Sequence, residues 1–239
     1  TGIAPEAELV IIKCECDDHG EFIRSSDLAF GLAYAVEQNV DIVNMSFCTI
    51  DNIFEQFTKL AVKSDIICVA SAGNSGSSGP VYPAADENVI GVGAMDEGTW
   101  QRASYSNYGD NVDLLAPGTT FTTTLEGGYM VNTGTSVACP AVAGALALYI
   151  AQNRYAEFDD VKEMVQASSV DLGSLGKDWE NGFGLLDVYS LVCAEKGVIT
   201  YEMLTDEVDN LTQVFVKGKT VQTVPEPERE NVVLDGWYY

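Results

Sequence analysis

The stretch Asn132-Thr133-Gly134-Thr135-Ser136-Val137-Ala138-Cys139-Pro140-Ala141-Val142-Ala143-Gly144 sets a serine between small residues and an apolar run that continues to Arg154 and reads as a long buried helix. The Ser136 hydroxyl therefore falls at a helix start. The first turn of a helix leaves backbone N–H groups without intrahelical acceptors and carries the positive end of the peptide dipoles, so negative charge developing near Ser136 is stabilised there. Gly134 has no side chain and lets another backbone come close, while Ala138, Ala141, Ala143 and Gly144 let the helix pack tightly. A serine ahead of an apolar run is also a favoured N-cap, and that structural role competes with the chemical one.

Working outward, the chain before this stretch alternates between strand-like and helix-like segments. Glu8 to Cys14 is a short continuous apolar run, as in a strand covered on both faces. Ser25 to Gln38 predicts a helix capped by Ser25 or Ser26, striped by Leu28, Leu32, Ala35 and Val36, and stopping at Asn39. Asp41 to Phe47 predicts a second strand, Ile53 to Lys63 a second helix, and Ile66 to Ala70 a third strand. Val89 to Ala94 and Val112 to Ala116 read as further strands, and Thr119 to Val131 as a hairpin around Gly127-Gly128 after the Pro117-Gly118 turn. Asp159 to Ala167 and Leu185 to Cys193 supply more helix. This rhythm predicts an α/β fold, a parallel sheet with helices on both faces, in which ligands bind outside the carboxyl ends of the strands. Asn74, in Ser71-Ala72-Gly73-Asn74-Ser75-Gly76, sits just past one such end.

The 239 residues are 46% hydrophobic and 20% charged, enough for one large domain with a real core. Thirty-six acidic against 12 basic residues give a net charge of −24, which excludes nucleic acid as an ordinary partner because phosphate binding needs clustered Lys and Arg. The acidity serves solubility. No cofactor is called for with certainty, and calcium stays open because carboxylates suit it, although no Asp-x-Asp-x-Asp-Gly loop is present. Six cysteines, Cys14, Cys16, Cys48, Cys68, Cys139 and Cys193, are too sparse for a disulfide scaffold and read mostly as small buried hydrophobes. Cys14 and Cys16 share a face of the first predicted strand, where pairing or metal binding is conceivable. Cys139 reads as packing. No metal site is assigned, for want of a second Cys or His cluster. The longest apolar stretch, Val137 to Ile150, is too short to span a bilayer, and the chain opens with neither a signal peptide nor Met.

The nucleophile stretch resembles the Gly-Thr-Ser-x-Ala-x-Pro-x-Val-Ala-Gly signature of the subtilisin-like serine proteases, the subtilases. Ser71 to Gly76 resembles that family's oxyanion segment. Gly2-Ile3-Ala4-Pro5-Glu6-Ala7 is similar to its entry into the sheet, and Asp41-Ile42-Val43-Asn44-Met45-Ser46 to its substrate-binding strand. Tyr105-Ser106-Asn107-Tyr108-Gly109 and Leu115-Ala116-Pro117-Gly118 resemble its approach to the nucleophile, and Asn181-Gly182-Phe183-Gly184-Leu185 its closing turn. The resemblance implies Ser136 as nucleophile and Asn74 as oxyanion donor. It also implies that Ser46, Phe47 and Cys48 pair with the substrate main chain, and that Ala70, Ser71, Ala72 and Gly73 line the pocket for the residue before the scissile bond. Gly134 and Thr135 complete the substrate-binding set. Cys48 stands where the family often has Gly.

Two catalytic residues of that family are missing. A serine hydroxyl needs a base oriented by a third group. The one histidine, His19, follows the Ala-Pro-Glu-Ala segment, whereas the family's His-Gly-Thr-His motif precedes it, so His19 reads as an exposed loop residue. The expectation is that the catalytic Asp and His belong to an upstream segment of the same protein, and that this chain alone is nearly inert. The expected function is then a serine endopeptidase acting on polypeptides through an acyl-enzyme on Ser136. The alternative is a pseudoprotease used for surface binding or regulation. An esterase ranks third, since the Gly-x-Ser-x-Gly elbow is absent.

By domains, residues 1–193 read as the peptidase part, 194–210 as an acidic linker, and 211–239 as a small β-rich appendage. In the last, Val224-Pro225-Glu226-Pro227-Glu228-Arg229 and Leu234-Asp235-Gly236-Trp237-Tyr238 resemble the β repeats of internalin-like bacterial surface proteins, with the repeat expected to be incomplete. That implies an extracellular or bacterial cell-surface setting.

Overall fold

In the computed structural model, residues 2–14, 24–201 and 211–217 are described. Helix α1 (Ser25–Glu37) leads to strand β1 (Ile42–Met45), helix α2 (Glu55–Lys63) and strand β2 (Ile67–Ser71). Then follow β3 (Ile90–Asp96), β4 (Gln101–Arg102), β5 (Leu114–Pro117) and the hairpin β6 (Thr119–Thr123) and β7 (Tyr129–Thr133). Helix α3 (Thr135–Gln152), α4 (Phe158–Ser168), β8 (Ser169–Val170), β9 (Leu185–Leu186) and α5 (Val188–Cys193) close the main body, and β10 (Lys196–Tyr201) and β11 (Leu211–Val216) follow.

The main sheet runs β1-β2-β3-β5-β9-β8. Pairs β1–β2, β2–β3, β3–β5 and β5–β9 are parallel, while β4 and β8 join antiparallel. Strand β2 shows why these residues make a strand covered on both sides. Ile67 and Val69 pack with Ala138, Val142 and Leu146 of α3, whereas Cys68 and Ala70 pack with Leu32 of α1 and Ala61 of α2. Period-2 alternation within an all-apolar run thus serves two helical layers. Helix α1 ends as expected: Asn39 takes φ +52° and its N–H bonds the Val36 carbonyl. Its N-cap is Arg24, not a serine, and carries no side-chain cap bond.

Expectations for three segments are corrected. Leu185–Leu186 forms strand β9, and the helix expected from Leu185 begins only at Val188. Glu8 to Cys14 is not a strand: residues 8–14 have no regular structure, and Leu9 and Ile11 are 76% and 82% exposed. Apolar content alone does not make a strand without a ladder partner, and β1, at the end of the sheet, pairs only with β2 among the described residues. The connector expected over 194–210 begins instead as β10, antiparallel to β11 with Lys196 opposite Val216. Val216 is buried in the main core, Val214 packs against it, and the Lys196 ammonium lies 4.8 Å from the centre of the Tyr149 ring. Acidic composition concealed that apolar face. The internalin-like motifs over 224–238 lie outside the described residues, as do Cys16 and His19.

Helix α3 is long and apolar enough to cross a membrane by length and composition alone. Here it lies on the sheet, with Ala138, Cys139, Val142, Ala145 and Leu146 buried. Among the described cysteines Cys68 and Cys139 are buried, but Cys48 and Cys193 are exposed, contrary to the expectation of burial for most.

Candidate active site

Strands β1 and β2 release their chains side by side at their carboxyl ends, and α3 starts opposite them. Gly134 is the N-cap of α3, which makes Ser136 the second helical residue rather than the cap. The helix start is held from across the sheet. Asn74 Oδ1 accepts the Thr135 backbone N–H at 2.8 Å and the Thr135 hydroxyl at 2.9 Å. Thr135 Oγ1, fully buried, in turn accepts the Gly73 N–H at 3.1 Å. With its oxygen committed, Asn74 must present its Nδ2 elsewhere. A β-carbon on Gly134 would stand 3.3 Å from Asn74 Nδ2 and 3.2 Å from Ser136 Oγ, so hydroxyl and amide meet over the bare face of this glycine. Gly134 also has φ +153°, a conformation side chains resist. An acyl carbon beside Ser136 Oγ would have its oxygen within reach of Asn74 Nδ2 and of the first-turn N–H groups, the geometry of an oxyanion hole.

Ser46 has a role the sequence did not disclose. Pro140, inside α3, has no N–H to give the Ser136 carbonyl, and the Ser46 hydroxyl donates to that carbonyl at 3.1 Å. Ser46 Oγ itself accepts from Asn44 Nδ2 at 3.0 Å. Beside it, the Phe47 carbonyl accepts from Ser71 Oγ at 3.4 Å, which ties the 46–48 run to the 71–73 run. Ala70, Ser71, Ala72 and Gly73 are all buried.

Asn107 is a second residue that sequence reasoning passed over. Only 1% exposed, it accepts the N–H groups of Ser75 and Ser77 at 3.0 and 3.1 Å and donates its own N–H to the Gly73 carbonyl at 2.9 Å. It is the template on which the loop carrying Asn74 is folded. Its place in Ser106-Asn107-Tyr108-Gly109, where an Asx side chain readily bonds neighbouring backbone, was the available signal. Burial pushes the Cys139 thiol up to about 12, only partly offset by contacts from Ser46 and Met45, so Cys139 is a protonated packing residue.

No histidine lies among the described residues to serve as base. Nor do three or more His, Cys, Asp or Glu side chains gather there to hold a metal ion. The site therefore offers a hydroxyl, a fixed amide donor and a helix start.

A sequence model of the subtilase family, peptidase S8, matches residues 1–184, and the chain belongs to that family. It is 38% identical over 190 residues to the minor extracellular protease Epr of Bacillus subtilis, covering 77% of this chain and 29% of that protein. Against the subtilisin of Bacillus pumilus it is 35% identical over 195 residues, covering 78% of this chain and 68% of the relative. Of subtilisin E from Bacillus subtilis it spans 49%. Among solved structures, the epidermin leader peptide processing serine protease from Staphylococcus aureus superposes with a TM-score of 0.71 at 22% identity, over 80% of this chain and 59% of the other. A lanthipeptide protease gives 0.65 at 24%, over 74% and 68%. These two likenesses concern the fold.

Proposed function

We propose that this chain is part of a secreted serine endopeptidase whose nucleophile is Ser136. The observation that carries this is the meeting of Ser136 Oγ and Asn74 Nδ2 over Gly134. In the proposed reaction a base takes the Ser136 proton while Oγ attacks the scissile carbonyl carbon. The carbonyl oxygen gains charge against Asn74 Nδ2 and the Ser136 N–H. The C–N bond then breaks as the base returns its proton to the leaving amine, and water hydrolyses the resulting acyl-enzyme. The base and its orienting carboxylate come from an upstream segment of the same protein. The 46–48 run and residues 70–73, with Gly134 and Thr135, hold the polypeptide.

The test is expression of the complete open reading frame and treatment with a fluorophosphonate probe, beside a Ser136→Ala variant. Labelling and peptide hydrolysis confined to the protein with Ser136 are expected. Equal labelling of both, or none of either, points to the pseudoprotease alternative.

A further inference from the structure

Residues 46–48 continue from β1 beside residues 71–73, the last residue of β2 and the two that follow it, and the first run is clamped at two points. Ser71 Oγ holds the Phe47 carbonyl at 3.4 Å, and Thr49 and Tyr82 exchange backbone hydrogen bonds of 2.8 and 2.7 Å. Between the clamps stands the exposed Cys48, whose Sγ lies 3.6 Å from the point a β-carbon on Gly73 would occupy. Gly73 cannot answer with a side chain of its own. Its φ is +97°, and a β-carbon there would stand 2.5 Å from Asn107 Nδ2. The gap between the two runs is thus narrowed by one thiol facing bare backbone. Gly73 immediately precedes Asn74, so this gap adjoins the point of attack.

We propose that Cys48 limits the side chain accepted at the substrate residue that supplies the scissile carbonyl, so that the enzyme cleaves after Gly, Ala or Ser and discriminates against branched and aromatic residues. This deepens the peptidase proposal and rests on it. A side chain ending at its β-carbon fits beside Sγ. A γ-branched or aromatic one must displace either the clamped 46–48 backbone or Gly73, which Asn107 holds from behind, and overfilling such a site is unfavourable. Desolvation raises the pKa of the Cys48 thiol, so at neutral pH it acts by bulk and not by charge.

The experiment compares the full-length protein with its Cys48→Gly and Cys48→Ser variants on peptides that differ only in Ala, Leu or Phe before the scissile bond. A change of about one methylene in a pocket alters selectivity roughly tenfold to two-hundredfold. The wild-type protein should prefer Ala, and Cys48→Gly should raise the Phe-to-Ala ratio of kcat/KM at least about tenfold. Cys48→Ser, similar in size, should keep the original ranking. A wild-type preference for Phe, an unchanged ratio in Cys48→Gly, or an opened pocket in Cys48→Ser overturns the role of Cys48 while leaving the peptidase reading intact. Absence of Ser136-dependent fluorophosphonate labelling removes both.

Discussion

Thr135 occupies the least replaceable position around the proposed nucleophile, because one hydroxyl both receives the Gly73 N–H and donates to Asn74 Oδ1. Removing it leaves Asn74 Oδ1 held by the Thr135 backbone N–H alone, and a donor held at one point instead of two is less well aimed at an oxyanion. Removing an oxyanion donor costs roughly two to three powers of ten in kcat, a figure that comes from subtilisin itself. Thr135→Val in the full-length protein should therefore show part of the loss of kcat seen in Asn74→Ala, with KM little changed. Adding Thr135→Val to Asn74→Ala should cost little more, since both act through one group. Thr135→Ser, which keeps the hydroxyl, should restore turnover. Steady-state kinetics on the four proteins check this, with a denaturation curve for each to show that the fold survives. Full additivity of the two losses would show that Thr135 acts independently of Asn74.

Among the elements, α3 shows how a helix tolerates an internal proline. Pro140 deprives the Ser136 carbonyl of its helical donor, and Ser46 at the end of β1 replaces it. Ser46→Ala should destabilise the chain by about 0.5–1.5 kcal/mol, the usual net worth of a hydrogen bond, since this one is only partly buried. Pro140→Ala restores an N–H to that carbonyl, so the double variant should recover much of the loss in urea denaturation. The closing turn before β9 makes a second case. Burial pushes the Asp178 carboxyl up, but donors from Asn181, Ser174 and Glu180 outweigh it and hold its pKa below the ordinary aspartate value. A depressed pKa contributes stability above the unfolded value, about 3.9, and loses it as pH falls through the lower folded value. Stability should thus drop on acidification below about pH 4, and Asp178→Asn should flatten part of that slope in denaturation curves from pH 2 to 7.

These cases also show what could be seen in the sequence. Strand β2 and helices α1 and α3 were legible because their apolar spacing reports burial directly. The family was legible because the neighbours of Ser136 and Asn74 spell its signature, and the roles proposed for those two residues rest on it. Ser46 as donor to α3 and Asn107 as template were not, since each depends on contacts between residues far apart in the chain. Glu8 to Cys14 misled for the complementary reason: hydropathy describes a segment, whereas a strand belongs to a pair.

At the scale of the whole molecule, charge is the dominant imbalance. A net charge of −24 on 239 residues means that the folded chain works against its own repulsion. Two of the described cations are placed where they bind parts together. Arg102 is only 17% exposed. It pairs with Glu180 at 2.6 Å, donates to the Ser106 carbonyl at 2.6 Å and lies 4.6 Å from the Tyr108 ring centre, thereby bracing the loop that presents Asn107. Lys177 reaches Asp113 at 3.0 Å. Added salt screens both effects, but not equally: partly buried pairs such as Arg102–Glu180 are screened little, while repulsion among exposed carboxylates falls as the Debye length shrinks from about 30 Å at 0.01 M to about 8 Å at 0.15 M. Repulsion has the larger share here, so the melting temperature should rise with sodium chloride over that range. Calcium chloride at matched ionic strength separates screening from cation binding: equal melting temperatures mean screening alone, and an excess with calcium means an ion held by the fold. A melting temperature that falls with sodium chloride would mean that ion pairs, and not repulsion, govern the electrostatics of this chain.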